Sequence, residues 1–295
     1  MQILTLTANL LAEFTGNYPA FLPEKTQRAQ RVEFQVGGKG INVTKAAHRL
    51  GVKAEALYLA GGAMGDLSEE WLARQTFGSR AVKALPGTRA GWVVRAPGMA
   101  ETTFLGADIP VEPAAWEALL RRSDQTPATH LALCGSVPGW SPAHTALTAA
   151  LFRREPAPFR ALDTYGPPLA DLWKMPWDLI KINRQEFDGL AEQEGTQLPD
   201  FPHTLPALAA ASAARSWIVT DGGGPVYLWT AAAGLRRFTP PRVEEVSPTG
   251  SGDVFLGVFL ARLALGDAPD QALPVALHHA ALNAGDPGVA AYALP

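Results

Sequence analysis

Hydrophobic and polar positions divide most of the chain into two alternating kinds of segment. Short apolar runs of strand length occur at residues 3–6, 55–60, 131–134, 159–162, 179–182 and 217–219. Between them, apolar residues recur at helical spacing at 42–50, 114–122, 144–152 and 185–190. Strands that alternate with helices predict right-handed crossovers and a mostly parallel sheet covered by helices on both faces, an α/β fold.

A second, smaller pattern is interleaved with the first. Residues 28–34 alternate as a strand with one wet face, and residues 89–95 and 101–105 predict a hairpin that pairs with that strand. The stretch through Asn9, Glu13 and Asn17 is polar and is expected to be irregular. Asp66 and Glu69 have the spacing of a capping box for a helix through Trp71, and a proline-rich linker is expected at 198–206.

Composition narrows the class of protein. The 295 residues suit one large domain or a domain with a small lid. A formal net charge of -3 argues against a general nucleic-acid or membrane-surface binder. The single cysteine, Cys134, excludes an internal disulfide and lies in an apolar run, which favours a small core residue over a nucleophile. The N-terminus lacks signal-peptide features and no uncharged stretch has the length of a membrane span, so a cytoplasmic location is predicted.

Polar and glycine residues follow the predicted strands. They are Gly135 with Ser136, Asp163, Asn183 with Glu186, residues 220–222, and residues 250–253. Because ligands of open α/β sheets collect at the carboxyl ends of the strands, these groups predict one shared site.

The glycine turn at residues 247–253 opens an apolar helical segment in which Gly257 allows close packing. First-turn amides of a helix have no internal partner, and two glycines let an anionic ligand approach them. Asp253 beside such a site is either a general base for attack on phosphate or a residue that merely charges the first helical turn.

Two common nucleotide motifs are absent from the sequence. A P-loop would need serine or threonine after Lys39, where the chain has Gly40. A dinucleotide fingerprint would need glycine at position 255, where the chain has Phe255.

Four motifs together resemble the ribokinase-like (PfkB-type) carbohydrate kinases. Gly-Gly-Lys-Gly-Ile-Asn-Val at 37–43 and Thr-Gly-Ser-Gly-Asp at 249–253 look like the two family signatures, and 181–186 and 219–224 are similar to segments between them. The branch that contains 1-phosphofructokinase and tagatose-6-phosphate kinase is the most similar, on the evidence of Arg28, the Thr88-Arg89 pair, and the segments 133–138 and 163–166.

The resemblance implies a three-layer α/β/α kinase domain over residues 1–295, with a discontinuous β lid from about 9–36 and 88–105. It implies an ATP-dependent phosphotransferase that uses Mg²⁺, with a ketohexose phosphate of the fructose 1-phosphate or tagatose 6-phosphate type under the lid. A homodimer joined through the lid is also expected.

The resemblance also implies roles for individual residues. Asp253 would be the base, and the amides of Gly250, Ser251 and Gly252 would stabilise the charge on the transferred group. Acceptor contacts would come from Asn9, Glu13, Arg28, Gly38, Lys39, Asn42, Arg89 and Ser136, with Lys39, Arg89 and Arg28 on the acceptor's own phosphate. Nucleotide contacts would come from Lys181, Asn183, Thr220, Gly222, Gly224 and Asn283, and Asn183 with Glu186 would orient Mg²⁺.

Several interpretations stay open at the level of sequence. Asn183 and Glu186 also have the spacing of a helix capping box, Asn42 also suits a helix cap, and Arg28 also suits a solvated strand charge. Glu13 stands where the branch carries aspartate, which leaves the identity of the sugar open. Kinases of unphosphorylated sugars or nucleosides, and a non-catalytic homologue that binds sugar or nucleotide, remain as alternatives.

Overall fold

The computed structural model describes residues 1–99, 101–196 and 200–294. Within these ranges the strands are β1 Gln2–Thr7, β2 Leu11–Asn17, β3 Arg31–Gly37, β4 Lys53–Ala60, β5 Gly78–Lys83, β6 Arg89–Arg95, β7 Thr102–Leu105, β8 His130–Cys134, β9 Phe159–Asp163, β10 Leu179–Asn183, β11 Ser216–Thr220, β12 Val226–Thr230 and β13 Gly234–Phe238. The helices are α1 Lys39–Arg49, α2 Gly62–Ala73, α3 Pro113–Asp124, α4 Pro142–Thr148, α5 Pro167–Leu172, α6 Arg184–Gln193, α7 Phe201–Ala210, α8 Ser251–Ala264 and α9 Pro269–Ala284, and a short 3₁₀ helix covers Ala149–Arg153.

The large sheet has nine strands in the order β13-β12-β11-β10-β9-β8-β1-β4-β5. Every neighbouring pair from β5 to β11 is parallel, and only β12 and β13 at one edge are antiparallel. The predicted mostly parallel α/β sheet is therefore confirmed. The helices of the described part of the chain include none that is both long and apolar enough to cross a membrane.

Side chains on the two faces of this sheet belong to separate hydrophobic clusters, and a smaller third cluster lies where β4 meets the small sheet. On β1, Leu4 and Leu6 contribute to one core and Ile3 to the other, as the alternation of a strand requires. Strands that are buried on both faces have continuous apolar sequences, which is why these strands could be predicted from the sequence. Cys134 is buried in the second core, as predicted.

The small sheet has four strands in the order β3-β2-β6-β7. The hairpin β6-β7 is present as predicted, but its expected pairing with the strand near residues 28–34 is wrong, because β2 lies between β6 and β3. The stretch expected to be irregular is β2. Its burial does not alternate residue by residue, since parts of both faces are covered, and this hid the strand from a period-two pattern.

Two local predictions about helices are corrected. Helix α2 begins at Gly62, so Asp66 and Glu69 lie inside it and form ion pairs of 3.0 and 2.8 Å with Lys83 instead of a capping box. The expected linker at 198–206 is mostly helix α7, whose N-cap Asp200 accepts a hydrogen bond from the amide of His203. Proline is tolerated in a first helical turn, which explains the error, and residues 197–199 lie outside the described ranges.

Helices α1 and α8 pack closely, as predicted for Gly257. A Cβ at Gly257 would overlap the carbonyl oxygen of Val43 and would lie 2.8 Å from Cβ of Ala46. This contact brings the start of α1 and the start of α8, more than 200 positions apart in the chain, to the same edge of the large sheet.

Candidate active site

The glycine turn before α8 is formed as a left-handed cap. Gly250 has φ 75° and is the N-cap of α8. The amide of Ser251 already donates to the carbonyl of Pro248 at 3.1 Å, which corrects the prediction that all three turn amides are free. The amides of Gly250 and Gly252 have no backbone acceptor among the described residues, so they remain as donors for an anion.

Asp253 lies in the first turn of α8 with only 8 % of the residue exposed. Its Oδ2 accepts a hydrogen bond of 2.7 Å from Nδ2 of Asn42. Burial raises the pKa of Asp253 to about 6, and the negative charge of Asp163 adds to this while Lys39 and the Asn42 bond oppose it. The structure therefore holds an oriented carboxylate whose pKa suits proton transfer near neutral pH.

Asn42 itself is not a helix cap, because α1 begins at Lys39 and is capped by Gly38. Gly38 has φ 131°, a backbone conformation that favours glycine. The cap interpretation of Asn42 is wrong, and its bond to Asp253 was not foreseen.

Two lysines converge on one fully buried carboxylate. Asp163 Oδ1 lies 2.7 Å from Nζ of Lys39, and Asp163 Oδ2 lies 2.8 Å from Nζ of Lys181. Burial of Asp163 favours its neutral form, but the two ammonium groups outweigh that effect and hold its pKa below the ordinary value. Burial of Lys39 likewise opposes its charge, and Asp163, Glu186 and Asp253 together hold its pKa above the ordinary range. One more positive than negative charge therefore remains in the Lys39–Asp163–Lys181 group.

This lysine group faces the glycine turn. Nζ of Lys181 lies 3.0 Å from the position that a Cβ on Gly252 would occupy. The Lys181 ammonium therefore lies directly against the glycine turn, and a side chain at position 252 would crowd it.

A cleft of about 730 Å³ joins these groups. Lys39, Lys181 and residues 250–253 all line it, so the early lysine and the late acid meet across one cleft, as the family resemblance implies. Thr220 and Gly222 also line the cleft, together with Gly223 and not the predicted Gly224. Its apolar part is formed by Val226, Phe255, Leu277, Ala280 and Ala281.

Asn183 and Glu186 form a reciprocal capping box at the start of α6. The Asn183 side chain accepts from the amide of Glu186, and the Glu186 side chain accepts from the amide of Asn183, both at 2.8 Å. The capping interpretation is confirmed. The second oxygen of Glu186 lies 3.5 Å from Nζ of Lys39, and Asn183 lines the large cleft.

Asn283 was predicted to contact a nucleotide, and its position contradicts that role. Its side chain is fully buried and donates to the carbonyl of Thr249 and to Oγ of Ser251, both at 3.0 Å. Its oxygen accepts from the amide of Ala290 at 2.7 Å. Asn283 therefore fixes the glycine turn to the C-terminal segment.

A second polar group lies at the junction of the small and large sheets. Nδ2 of Asn9 lies 3.0 Å from Oγ of Ser136 and 2.9 Å from Oδ1 of Asp108. Nη1 of Arg89 donates to the same Asp108 oxygen at 2.9 Å. Three of the predicted acceptor contacts, Asn9, Arg89 and Ser136, are thus brought together, with Asp108 as an unpredicted fourth member.

In the part of the chain that the structure describes, Arg28, Lys39 and Glu13 make no hydrogen bond to this group. Arg28 is exposed in the segment before β3 and has no side-chain hydrogen bond or ion pair to any residue that the structure describes. Nζ of Lys39 binds Asp163, whereas Nη1 of Arg89 binds Asp108, so these two cations have different carboxylate partners. Glu13 on β2 accepts a hydrogen bond from Gln35, and burial raises its pKa.

The roles of Asp163 and Asp108 were not predictable from the sequence. Asp163 was marked as a polar residue at a strand end, but nothing in the sequence indicated that it bridges two lysines. Asp108 belongs to no recognisable sequence motif, because it lies in an irregular segment and its partner Asn9 is 99 positions away. In the described ranges, no group of three or more histidine, cysteine, aspartate or glutamate residues is arranged to hold a metal ion.

Comparison with known proteins gives one consistent result. The family model described as "pfkB family carbohydrate kinase" matches residues 4–295. The 1-phosphofructokinase of Escherichia coli K12 is 27% identical over 286 residues, which cover 95% of this chain and 90% of that protein. The D-tagatose-1-phosphate kinase of Bacillus licheniformis is 25% identical over 281 residues, with the same shares covered.

Solved structures show the same architecture. The phosphofructokinase-2 of Escherichia coli in complex with fructose-6-phosphate superposes with a TM-score of 0.86 at 22% identity, covering 96% of this chain and 93% of that one. Ribokinase from Thermotoga maritima superposes with a TM-score of 0.77 at 19% identity, covering 98% and 94%. The predicted ribokinase-like fold is therefore confirmed.

Proposed function

The chain belongs to the PfkB family of carbohydrate kinases and is an ATP-dependent sugar kinase, and from this premise we propose that it phosphorylates a hydroxyl of a ketohexose phosphate, with Asp253 as general base. The observation that carries the proposal is the buried Asp253 carboxylate, which shares one cleft with two lysines and a glycine turn.

Asp253 would take the proton of the attacking hydroxyl. Asn42 holds Oδ2 of Asp253, which leaves Oδ1 to accept the hydroxyl hydrogen. A pKa of about 6 keeps the carboxylate ionised at pH 7 and still basic enough to be protonated as the hydroxyl oxygen forms its bond to phosphorus.

The donor phosphates would lie against the cationic side of the cleft. Phosphoryl transfer requires positioning and charge neutralisation more than covalent chemistry. Lys39, Lys181 and the amides of Gly250 and Gly252 supply these, and the apolar wall near Phe255 and Ala281 suits a purine base.

The donor set near the phosphates fits a sparsely coordinated Mg²⁺. Magnesium usually keeps several waters and takes few protein ligands. The Glu186 oxygen that is not used in the capping box lies 3.5 Å from Nζ of Lys39, a residue that lines the cleft together with Asn183. When bound, the ion would neutralise charge on the donor phosphates. Glu186 and Asn183 would orient it through its waters.

The acceptor would bind at the junction of the sheets. Asn9 and Ser136 offer hydrogen bonds, and Arg89 offers a planar fork for a phosphate group. The names of the relatives support a phosphorylated ketose, since they describe action on fructose 1-phosphate and on tagatose 1-phosphate.

A coupled assay of ADP release over a panel of sugars and sugar phosphates tests the proposal. We expect turnover with phosphorylated ketohexoses and a loss of about a hundredfold or more in Asp253→Asn. Turnover confined to unphosphorylated sugars or nucleosides would contradict the acceptor class. Tight binding without turnover would contradict the kinase reaction, and an unchanged rate in Asp253→Asn would contradict the assignment of the base.

We also propose that two copies of the chain pair through the outer face of the small sheet. Phe34, Phe14, Trp92 and Phe104 stand directly opposite one another in the registers of β3, β2, β6 and β7, so they form one aromatic row. The opposite face carries Arg95, whose Nη2 donates to the carbonyl of Pro287 in the main body. At its β3 end the aromatic row packs against the main body through Phe34, and at its β7 end it faces solvent, with Phe104 53% exposed.

The state of association in solution tests this pairing. Sedimentation analysis is expected to give a dimer for the unaltered chain and a monomer for Phe104→Glu with Trp92→Glu. An unaltered chain that stays monomeric at micromolar concentration would contradict the pairing.

A further inference from the structure

Asp108 lies on the segment that follows β7 of the small sheet. Its carboxylate accepts hydrogen bonds from Asn9 and Arg89, two of the predicted acceptor contacts. We propose that Asp108 is a carboxylate gate: it holds Arg89 and Asn9 when no acceptor is bound, and the anionic group of the acceptor must displace it. This inference rests on the proposed function, because it names the part of the acceptor that occupies this subsite.

The contacts identify the subsite as one for an anion. A single oxygen of Asp108 accepts hydrogen bonds from Nη1 of Arg89 and from Nδ2 of Asn9, both at 2.9 Å. Two donors that point at one negatively charged oxygen would point equally well at a phosphate oxygen in the same place.

The exposed fractions of the two side chains show which of them can move out of the subsite. The Arg89 side chain is 16% exposed, whereas the Asp108 side chain is 50% exposed. The donors are therefore set in the wall of the subsite, and the carboxylate approaches them from the solvent side.

Only part of the hydrogen-bonding capacity of Arg89 is used in this arrangement. Nε of Arg89 is buried and has no hydrogen-bond partner within the described ranges. A buried donor without an acceptor is unfavourable, and a guanidinium binds best when two of its N–H groups engage one anion. A phosphate has three terminal oxygens that can accept from both edges of the guanidinium, and the single contact to Asp108 does not achieve this.

The backbone around Asp108 permits its withdrawal. The amide of Gly106 donates to the carbonyl of Ala90, and the amide of Val111 donates to the carbonyl of Pro138, both at 2.8 Å. Between these two anchors, residues 107–110 make no backbone hydrogen bond to any part of the chain that the structure describes. The carboxylate can leave the subsite without breaking the strands on either side.

The gate separates acceptors by whether they enter the subsite. A dianionic phosphate replaces the charge of Asp108 on Arg89 and adds contacts, so it enters the subsite and bears the free-energy cost of displacing the carboxylate. A neutral hydroxyl cannot replace that charge, so an unphosphorylated sugar binds with Asp108 still in place.

Steady-state kinetics and phosphate binding test the gate in Asp108→Asn and Asp108→Ala, with Asp124→Asn on the exposed end of α3 as the matched control. We expect both Asp108 variants to lower KM for the phosphorylated ketohexose by about three- to tenfold, the effect of removing one partly exposed charged competitor. KM for the unphosphorylated sugar and all values for the control stay as in the unaltered chain.

Inorganic phosphate is the probe that does not depend on turnover. Calorimetric titration without nucleotide is expected to show tighter phosphate binding by a similar factor in both Asp108 variants, and Arg89→Gln is expected to abolish it. A raised KM for the phosphorylated acceptor, or unchanged phosphate binding in both variants, would overturn the gate. Failure of the proposed acceptor class is recognised separately, by an unaltered enzyme that turns over unphosphorylated acceptors only.

Discussion

At the scale of single residues, the site depends on carboxylates whose surroundings differ. Asp253 has one amide donor and a buried setting, so its charged form is held weakly and its pKa lies at about 6. Asp163 has two ammonium partners, so its charged form is held firmly and its pKa lies below the ordinary value. The first arrangement suits a group that exchanges a proton, and the second suits a group that positions cations.

The raised pKa of Asp253 predicts the acid limb of the pH–rate profile. Only the ionised carboxylate can accept a proton, so kcat/KM is expected to fall about tenfold per pH unit below about 6. The acceptor's own phosphate titrates nearby, with a second pKa of about 6. The residual activity of Asp253→Asn separates the two titrations, because its pH profile contains only the contribution of the substrate phosphate. An acid limb that is identical in the unaltered chain and in Asp253→Asn would contradict the assignment of Asp253 as the base.

The raised pKa of Asp253 also predicts how the free energy of unfolding depends on pH. Because the folded-state pKa of Asp253 lies above the unfolded value of 3.8, the native state binds the proton more tightly and stability falls as pH rises from about 4 to 6. Asp253→Asn removes this charge. We expect it to raise the free energy of unfolding in urea by about 3 kcal/mol at pH 8 and by about half as much at pH 5. A variant that is less stable than the unaltered chain at pH 8 would show that the charge is well compensated.

Removal of the charge on Asp163 is expected to act in the opposite direction. Asp163→Asn leaves the buried Lys181 ammonium without an ion pair among the described residues and Lys39 with only the 3.5 Å contact to Glu186, so the free energy of unfolding should fall by about 3 kcal/mol. Asp188→Asn breaks the exposed ion pair with Arg184 and serves as the control, with an expected loss below about 1 kcal/mol. Equal losses in urea denaturation of the two variants would show that the buried group contributes no more than a surface pair.

At the scale of elements, the site is assembled by the contact between α1 and α8. Asn42 on α1 reaches Asp253 on α8 because Gly257 lets the two helices approach closely. The C-terminal segment supports the same arrangement. Nζ of Lys45 on α1 donates to the carbonyl of Val289 at 2.6 Å, and the Val289 side chain packs where a Cβ on Gly250 would lie.

A methyl group at Gly257 is expected to separate the two helices. Gly257→Ala should lower the free energy of unfolding by about 1–3 kcal/mol, since the new Cβ meets backbone and cannot be accommodated by a side-chain rotation. The shift of α8 should also reduce kcat by weakening the Asn42–Asp253 bond. Gly189→Ala in α6 has open space around its Cβ and is the matched control, with an expected gain of about 0.5–1 kcal/mol. Equal stability of the two variants would contradict the packing argument.

Prediction of elements from the sequence succeeded where burial was simple. The strands β8 to β11 are covered on both faces and appear as apolar runs, and the capping box at residues 183–186 was recognised. The same capping spacing failed at Asp66, because the helix there begins earlier on a glycine and the acidic residues pair with Lys83. Spacing alone does not show whether a side chain bonds its own helix or a neighbouring strand.

At the scale of the whole molecule, strand order explains which parts of the site were predictable. Strand β1 lies between β4 and β8 in the middle of the large sheet, so motifs from both ends of the chain meet at one edge. Motifs at helix starts identified Lys39, Asp253 and the glycine turn, and positions at strand ends identified Asp163 and Asn183. Partners that lie in irregular segments or pair across long sequence distances, such as Asp108 with Asn9 and Asn283 with Thr249, left no pattern to recognise.

The central claim is that the cleft containing Asp253 transfers phosphate from ATP to a phosphorylated ketose. Phosphorus NMR of the chain with ATP, Mg²⁺ and a ketohexose phosphate tests this directly, because it distinguishes transfer from hydrolysis. We expect the γ-phosphate signal to be replaced by a second sugar phosphomonoester in equal amount to the ADP formed, and Asp253→Asn to show no such signal on the same timescale. Release of inorganic phosphate without a sugar bisphosphate, or equal product formation by Asp253→Asn, would contradict the account.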